Sequence, residues 1–384
     1  MPILALDDIL PNTVAGQDIF ESGKSKMPLL RKGTVITAEY LYGLRRRGIE
    51  GLHVKEALYT DEDGFVISNP AKKKDNSLAG MPFEKSRAPV LPKLRKDIIK
   101  GLRDLHLAIG GRDKDSVVKS IDSLYDLVAD VVEDMVEKPD NPINVTTLQN
   151  DQEFVYNHCL SVAVMSLAMG QVMGLSTYEL MQLGRCAVLH DLGKFMISPD
   201  ILLKNDILTE AEEAEMRTHA ELGYDSLKLW NVCTENERMA IFSHHERLDG
   251  SGYPEGLVGD KIPLWGRIIA VAEVYDVMTN PRPPILPKSP TKTSEYLLAH
   301  SNIFFDADVV QALHARVEFY PLGSFVLLSD GQYALVTKSK NSLRPEIRVL
   351  NVNRAADLSD PSNSNIDIEK IVSYKEALTR GRQR

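Results

Sequence analysis

The sequence predicts a mainly α protein: a helical bundle core, a small α+β domain ahead of it and a short β extension behind it. Three observations carry this. From about residue 94 to 320 apolar residues recur mostly at helical spacing, punctuated by helix-starting Ser, Thr and Pro. Before that stretch the apolar runs are only a few residues long. After it, alternating β-branched and aromatic residues flank turn dipeptides.

In order, residues 1–58 form the α+β module. Ile3 to Leu6 and Val35-Ile36 suggest strands, and Ala38 to Arg47 has helical periodicity that Gly48 stops. The Arg45-Arg46-Arg47 run suits a solvated helix end favoured by the helix dipole. Residues 59–93 read as a linker with little regular structure, on the acidic Asp61-Glu62-Asp63, the basic Lys72-Lys73-Lys74 and scattered Pro and Ser.

The helical domain spans 94–320. Residues 94–138 give two leading amphipathic helices broken at Gly110-Gly111, with Leu105, Ile109, Val117, Ile121, Leu124, Leu127 and Val131 on their packing faces. Such a face suits helix packing or a homodimer seam. A helix from Phe154 to Gly174 follows. Ser176 to Glu179 is a capping box opening the helix that delivers His190-Asp191. Thr209 to Glu212 caps a helix expected to run on through His219. Glu235 to Glu246 is expected to be one helix carrying His244-His245 at its end. Pro263 opens the helix through Asp276, and Asp306 caps the helix from Ala307 to Val317. In the extension, 321–384, Ser324 to Leu328 and Tyr333 to Thr337 form a hairpin about Asp330-Gly331, with a third strand from Ile347 to Leu350.

Composition narrows the function. With 384 residues, 43% hydrophobic and 26% charged, the chain can build a sizeable soluble core. Its formal net charge of −9 excludes broad binding to long nucleic acid or anionic lipid. The three cysteines, Cys159, Cys186 and Cys233, lack Cys-x-x-Cys spacing and suit reduced thiols in a cytoplasmic protein. No charged leader with an apolar run and no membrane-length apolar run is seen.

The chemistry concentrates at His190-Asp191, a costly polar pair ending the apolar run Ala187-Val188-Leu189. Of nine histidines, His53, His106, His300 and His314 have no partner in the pattern and read as packing or surface residues. His158, His190, His219, His244 and His245 lie in one helical region with Asp191 and Asp276. A thiolate-free imidazole and carboxylate set suits iron, manganese, nickel or zinc at an open site. Seven ligands suit two ions sharing a bridging carboxylate, an arrangement that clamps the attacking and leaving oxygens of phosphodiester hydrolysis.

These residues also resemble a known family. His190-Asp191 followed by Lys194 resembles the HD superfamily of metal-dependent phosphohydrolases. The run from His244 to Leu257, HHERLDGSGYPEGL, resembles the signature of its HD-GYP branch. Asn157-His158, Ile207-Leu208-Thr209, Ile262-Pro263, Val274-Tyr275-Asp276 and Phe305-Asp306 match in order, covering about residues 152–320.

The resemblance implies an HD-type bundle and a bacterial cyclic di-GMP phosphodiesterase that yields pGpG or GMP through a metal-bridging hydroxide. It implies two divalent ions, iron first, with manganese or nickel as substitutes. His158, His190, Asp191 and Asp276 would hold one ion, and His219, His244 and His245 the other, with Asp191 bridging. Lys194 would contact a phosphate oxygen, and Arg282 and Tyr253 would line the substrate site. The Gly250–Gly256 loop would meet diguanylate cyclase partners.

Some positions depart from the pattern. Phe154 stands where some members place a glutamate for a third ion, and Glu273 replaces an aspartate. Pro284 and Ile285 replace a tyrosine and a lysine, which motivates a rival reading: a weakly active receptor or scaffold that binds cyclic di-GMP or a cyclase.

Overall fold

In the computed structural model the chain divides into two units, Met1–Pro82 and Phe83–Arg384. The residues described are 3–5, 14–15, 51–56, 58–60 and 66–68 in the first, and 92–137, 154–204, 206–281, 285–339, 343–350, 352, 354–372 and 376–377 in the second.

In the first unit β1 (Ile3–Ala5) and β2 (Val14–Ala15) flank β3 (Gly51–Glu56), both antiparallel to it. β4 (Leu58–Thr60) and β5 (Val66–Ser68) pair as a hairpin inside the stretch expected to have little regular structure. The strand at Val35-Ile36, the helix from Ala38 and the arginine run lie outside the described residues.

The second unit opens with α1 (Pro92–Gly111) and α2 (Lys114–Glu137), which pack on each other and bury Leu105, Val117, Ile121, Leu124 and Val131 as their spacing predicts. Two helices form its centre. α3 (Phe154–Val172) is covered on every side, with Asn157 through Gly170 all buried. α9 (Leu264–Thr279) buries Ile268 through Glu273, Tyr275 and Asp276 and packs along α3. Only apolar side chains tolerate such burial at no cost, so His158 on α3 and Glu273 and Asp276 on α9 need partners there. α4 (Thr177–Leu189) starts at the expected Ser176 capping box and packs on both α2 and α3.

The chain then turns tightly. A 3-10 turn, Leu192–Met196, follows α4, then α5 (Pro199–Leu202) and α6 (Glu210–Arg217), opened by the Thr209 capping box. The helix expected to continue through His219 breaks at Thr218, and α7 runs His219–Trp230. α8 (Glu235–Phe242) ends before His244-His245, so that pair sits on the following turn, not in a helix. α10 (Pro290–Ala299), absent from the sequence-based expectation, buries Pro290, Thr293, Ser294 and Leu297. Half of that buried face, Thr293 and Ser294, is hydroxylated, which leaves too few apolar positions for a helical period to show. α11 (Ala307–Arg316) starts at the Asp306 cap and packs on α3.

The extension is a five-stranded antiparallel sheet of β6 (Phe325–Leu328), β7 (Tyr333–Lys338), β8 (Glu346–Val349), β9 (Arg354–Asp357) and β10 (Ile368–Val372), ordered β10-β6-β7-β8-β9. Val326, Leu328, Ala334, Val336, Ile347 and Val349 join the same core as the helices. No helix among the described residues is long and apolar enough to cross a membrane.

Candidate metal centre

His190 ends α4 and Asp191 starts the 3-10 turn, at φ −96° and ψ 11°. That sharp change of backbone direction aims both side chains into the space between α3, α7, α9 and the turn after α8. The close approach of α7 requires Gly193. A Cβ there would lie 2.7 Å from the carbonyl carbon of His219 and 2.9 Å from the amide nitrogen of Gly223. His219 thereby reaches Asp191, with its Nε2 3.5 Å from Asp191 Oδ1.

The histidine–histidine–glutamate turn is held from the other side by its own loop. Glu246 is buried, and its two carboxylate oxygens accept from the amides of Glu255 (2.9 Å) and Leu257 (3.0 Å). Gly252 lies so close beneath the turn that a Cβ would stand 2.5 Å from the Arg247 amide nitrogen and the His245 carbonyl oxygen.

Tautomers follow from these contacts. The Nδ1 atoms of His190, His219 and His244 face the carbonyl oxygens of Ala187 (2.8 Å), Met216 (2.6 Å) and Ile241 (2.5 Å). A carbonyl only accepts, so each Nδ1 carries the proton and, in the neutral ring, each Nε2 is a bare lone pair. Yet the Nε2 atoms of His219 and His244 face each other at 3.3 Å, and Nε2 of His190 faces Glu273 Oε2 at 3.1 Å. Lone pairs opposed at such distances repel unless a cation lies among them. Ligands each about 2.1 Å from one ion stand about 3–4 Å apart, the spacing seen here.

His158 donates from Nδ1 to Asp276 Oδ2 at 2.7 Å, and its Nε2 lies 2.7 Å from Glu273 Oε2 and 3.5 Å from Asp191 Oδ2. Its Nε2, Asp191 Oδ1 and His245 Nε2 are buried with no hydrogen bond. The 2.7 Å approach of Glu273 is close but misaligned as a hydrogen bond. Two ligand groups result, His158–His190–Glu273 and His219–His244–His245, with Asp191 between them. Its Oδ2 is 3.5 Å from Nε2 of both His158 and His190, while its Oδ1 faces His219 and His244. The residues fit a pair of divalent cations.

The electrostatics agree. Burial pulls His219 down to about 4, aided by the Lys194 charge, so its ring is neutral and ready to ligate. Burial likewise lowers His244 and His245, reinforced by neighbouring rings. Burial acts to lower His158 too, but Glu273 and Asp276 outweigh it and raise the ring. Burial acts to raise Asp191, yet Lys194 and His190 hold the carboxylate below its usual range. Lys194 Nζ sits 2.6 Å from Asp191 Oδ2 and is raised in turn: burial opposes its charge, and Asp191 and Glu273 more than restore it.

The sequence-based set is thus largely brought together: His158, His190, Asp191, His219, His244 and His245 converge, and Lys194 meets Asp191. Asp276 is placed otherwise. It lies on the Nδ1 side of His158, where its Oδ1 accepts from Asn280 Nδ2 at 3.1 Å, and Glu273 takes the Nε2 side. In the sequence Glu273 stands out only as a departure from the resembled pattern. Its signal was a carboxylate on a helix buried from Ile268 to Glu273.

Tyr253 stacks on His245 at 4.6 Å between centroids and 21°, and the Arg217 guanidinium lies over the Tyr253 ring, 5.1 Å from its centroid. Phe154 stacks on His158 at 6.4 Å, placing an apolar ring where a third ion would need a carboxylate. Arg282 and Pro284 lie outside the described residues, and Ile285 is exposed.

Comparison with known proteins follows the same outline. Residues 124–309 match the family model described as HD domain. The chain is 29% identical over 240 residues to the cyclic di-GMP phosphodiesterase PA4108 of Pseudomonas aeruginosa, covering 60% of this chain and 56% of that one. It is 41% identical over 142 residues to the cyclic di-GMP phosphodiesterase response regulator RpfG of Xanthomonas campestris, covering 37% and 38%. It is 34% identical over 161 residues to the 3'3'-cGAMP-specific phosphodiesterase 2 of Vibrio cholerae, covering 41% and 30%. The chain spans about half the length, or less, of these curated relatives. The helical core of this chain is thus similar to HD domains over residues 124–309 and to proteins named as cyclic dinucleotide phosphodiesterases.

Proposed function

We propose that this chain is a metal-dependent phosphodiesterase that hydrolyses cyclic di-GMP to pGpG, GMP or both. The single observation that carries the metal requirement is the pair of bare Nε2 lone pairs, His219 and His244, opposed at 3.3 Å beside an unpartnered Asp191 oxygen. The names of the relatives support the substrate class.

His158, His190 and Glu273 with Oδ2 of Asp191 would hold one ion, and His219, His244 and His245 with Oδ1 of Asp191 the other. When bound, such a pair supplies Lewis acidity and a nucleophilic water at neutral pH. The donor set of imidazole and carboxylate without thiolate suits iron first, then manganese or nickel.

The chain's own residues do the positioning. The carbonyls of Ala187, Met216 and Ile241 fix three imidazole tautomers, and Asp276 fixes that of His158, a carboxylate–histidine pair that also makes the ring more basic. Lys194, one turn past Asp191, is placed to exchange that carboxylate for a phosphate oxygen and to offset charge as the ester is cleaved. The buried Glu246 holds the loop that carries Tyr253 against the second ligand group. The same loop offers a face to a diguanylate cyclase domain, and the α1–α2 hairpin offers a homodimer seam. A cytoplasmic setting fits the free thiols of Cys159, Cys186 and Cys233.

The test is purified protein loaded anaerobically with iron or manganese and assayed by chromatography for pGpG and GMP. Turnover abolished by Asp191→Ala is expected. Full metal occupancy with nucleotide bound and no product would instead support the receptor or scaffold. Faster cleavage of 3'3'-cGAMP in a competition panel would change the substrate and keep the enzyme.

A further inference from the structure

A cyclic dinucleotide carries two phosphodiesters, and a pair of ions at the centre takes only one. In a chain of net charge −9 the other needs a dedicated cation. Position 285, where the resemblance implies a lysine, is an exposed isoleucine.

Arg247 meets the requirement. It follows His244-His245-Glu246 directly, and its backbone carbonyl accepts from Gly250 at 2.8 Å, which fixes the start of its loop. Its guanidinium lies over the buried ring of Phe305, 5.2 Å from the centroid, an arrangement that orients the fork without using its donors. Of five N–H donors, among the described residues only one on Nη1 is used, to the Glu246 carbonyl at 2.8 Å. The other donors make no hydrogen bond among the described residues, on a side chain two positions after the ligand His245. The guanidinium also lies within electrostatic reach of Glu273, the carboxylate of the first ligand group. Arg247 is half-buried, and none of its nitrogens is sealed from solvent without a partner, so the unused donors remain open to an incoming anion.

We propose that Arg247 is a substrate-binding residue that takes the non-scissile phosphate of a cyclic dinucleotide through its unspent guanidinium donors, with Phe305 as its platform. The inference rests on the cyclic dinucleotide assignment above and adds the residue that reads the second phosphate.

The experiment compares wild type with Arg247→Gln and Arg247→Lys, each loaded with manganese. Three quantities are read: ions per chain, the dissociation constant for cyclic di-GMP by calorimetry, and the ratio of kcat/KM for cyclic di-GMP to that for bis(p-nitrophenyl) phosphate, which has a single phosphate. Arg247→Gln is expected to weaken dinucleotide binding by about 10- to 100-fold and to lower the ratio by a similar factor, with the ion count unchanged. Arg247→Lys, which keeps the charge and loses the fork, is expected to fall between. Binding within about two-fold of wild type, or parallel loss toward both esters with a falling ion count, would overturn the inference. Wild type that binds the dinucleotide without cleaving it fails the enzymatic assignment and leaves the binding arm readable. Wild type that does not bind it overturns both.

Discussion

Gly193→Ala is a one-methyl change whose cost can be worked from the structure. The added Cβ would lie 2.7 Å from the carbonyl carbon of His219 and 2.9 Å from the Gly223 nitrogen, and closer still to the His219 carbonyl oxygen. All three are backbone atoms in α7, so no side chain can turn aside. Either the 3-10 turn or α7 must shift by about 1 Å to restore contact distances. Overpacking of this kind costs about 1–3 kcal/mol, which for a domain of this size lowers Tm by roughly 2–10 °C.

The functional loss should exceed the thermal one. The same shift moves His219 away from Asp191, whose Oδ1 is already 3.5 Å from the ring Nε2. A 1 Å error in such a site costs about 100-fold in rate. Differential scanning calorimetry together with ion counting on the metal-loaded variant tests this. The expected result is a modest Tm drop with the second ion lost or weakly held. A variant with wild-type Tm and a full ion complement would refute the claim that Gly193 sets the approach of α7.

Three further outcomes follow from the same geometry. In metal-free protein, folded His219, His244 and His245 titrate below their unfolded values, so their contribution is complete above about pH 6.5 and is lost as pH falls, for His219 toward about 4. Urea titrations should show stability dropping by up to about 1.4 kcal/mol per pH unit for each ring, and a flat profile below pH 6.5 would contradict the burial of neutral rings. His158 is raised in the metal-free protein, so its contribution is full below about pH 6.5 and fades as pH rises; His158→Gln should remove that alkaline loss from the same titrations. Glu246→Ala removes the acceptor of two loop amides and should expose the 250–257 segment to protease and cut turnover by about 10-fold or more; unchanged proteolysis would show that the loop holds itself.

Much of this architecture was legible in the sequence because it is written in local chemistry. Ser176 and Thr209 start their helices by side-chain contacts within four residues, and of the seven residues that periodicity selects in the 94–138 hairpin five are buried, with Ile109 and Leu127 partly so. The misses have a different origin. The break at Thr218 is set by the fit of Gly193 against His219, a contact between distant elements that helix propensity does not register. α10 buries hydroxyls, so its pattern is silent. At the centre, the histidines declared themselves by number and position. The choice between Glu273 and Asp276 did not, because both lie on one helix three residues apart. Only the packing of α9 against α3 decides which one meets Nε2 of His158 and which meets Nδ1.

That choice is where the account is most exposed, and ions per chain after gel filtration at saturating manganese measures it directly. Wild type should hold two ions, Glu273→Gln one, and Asp276→Asn two with the first held about 10- to 100-fold more weakly. A single ion in wild type, or two in Glu273→Gln and one in Asp276→Asn, would contradict it.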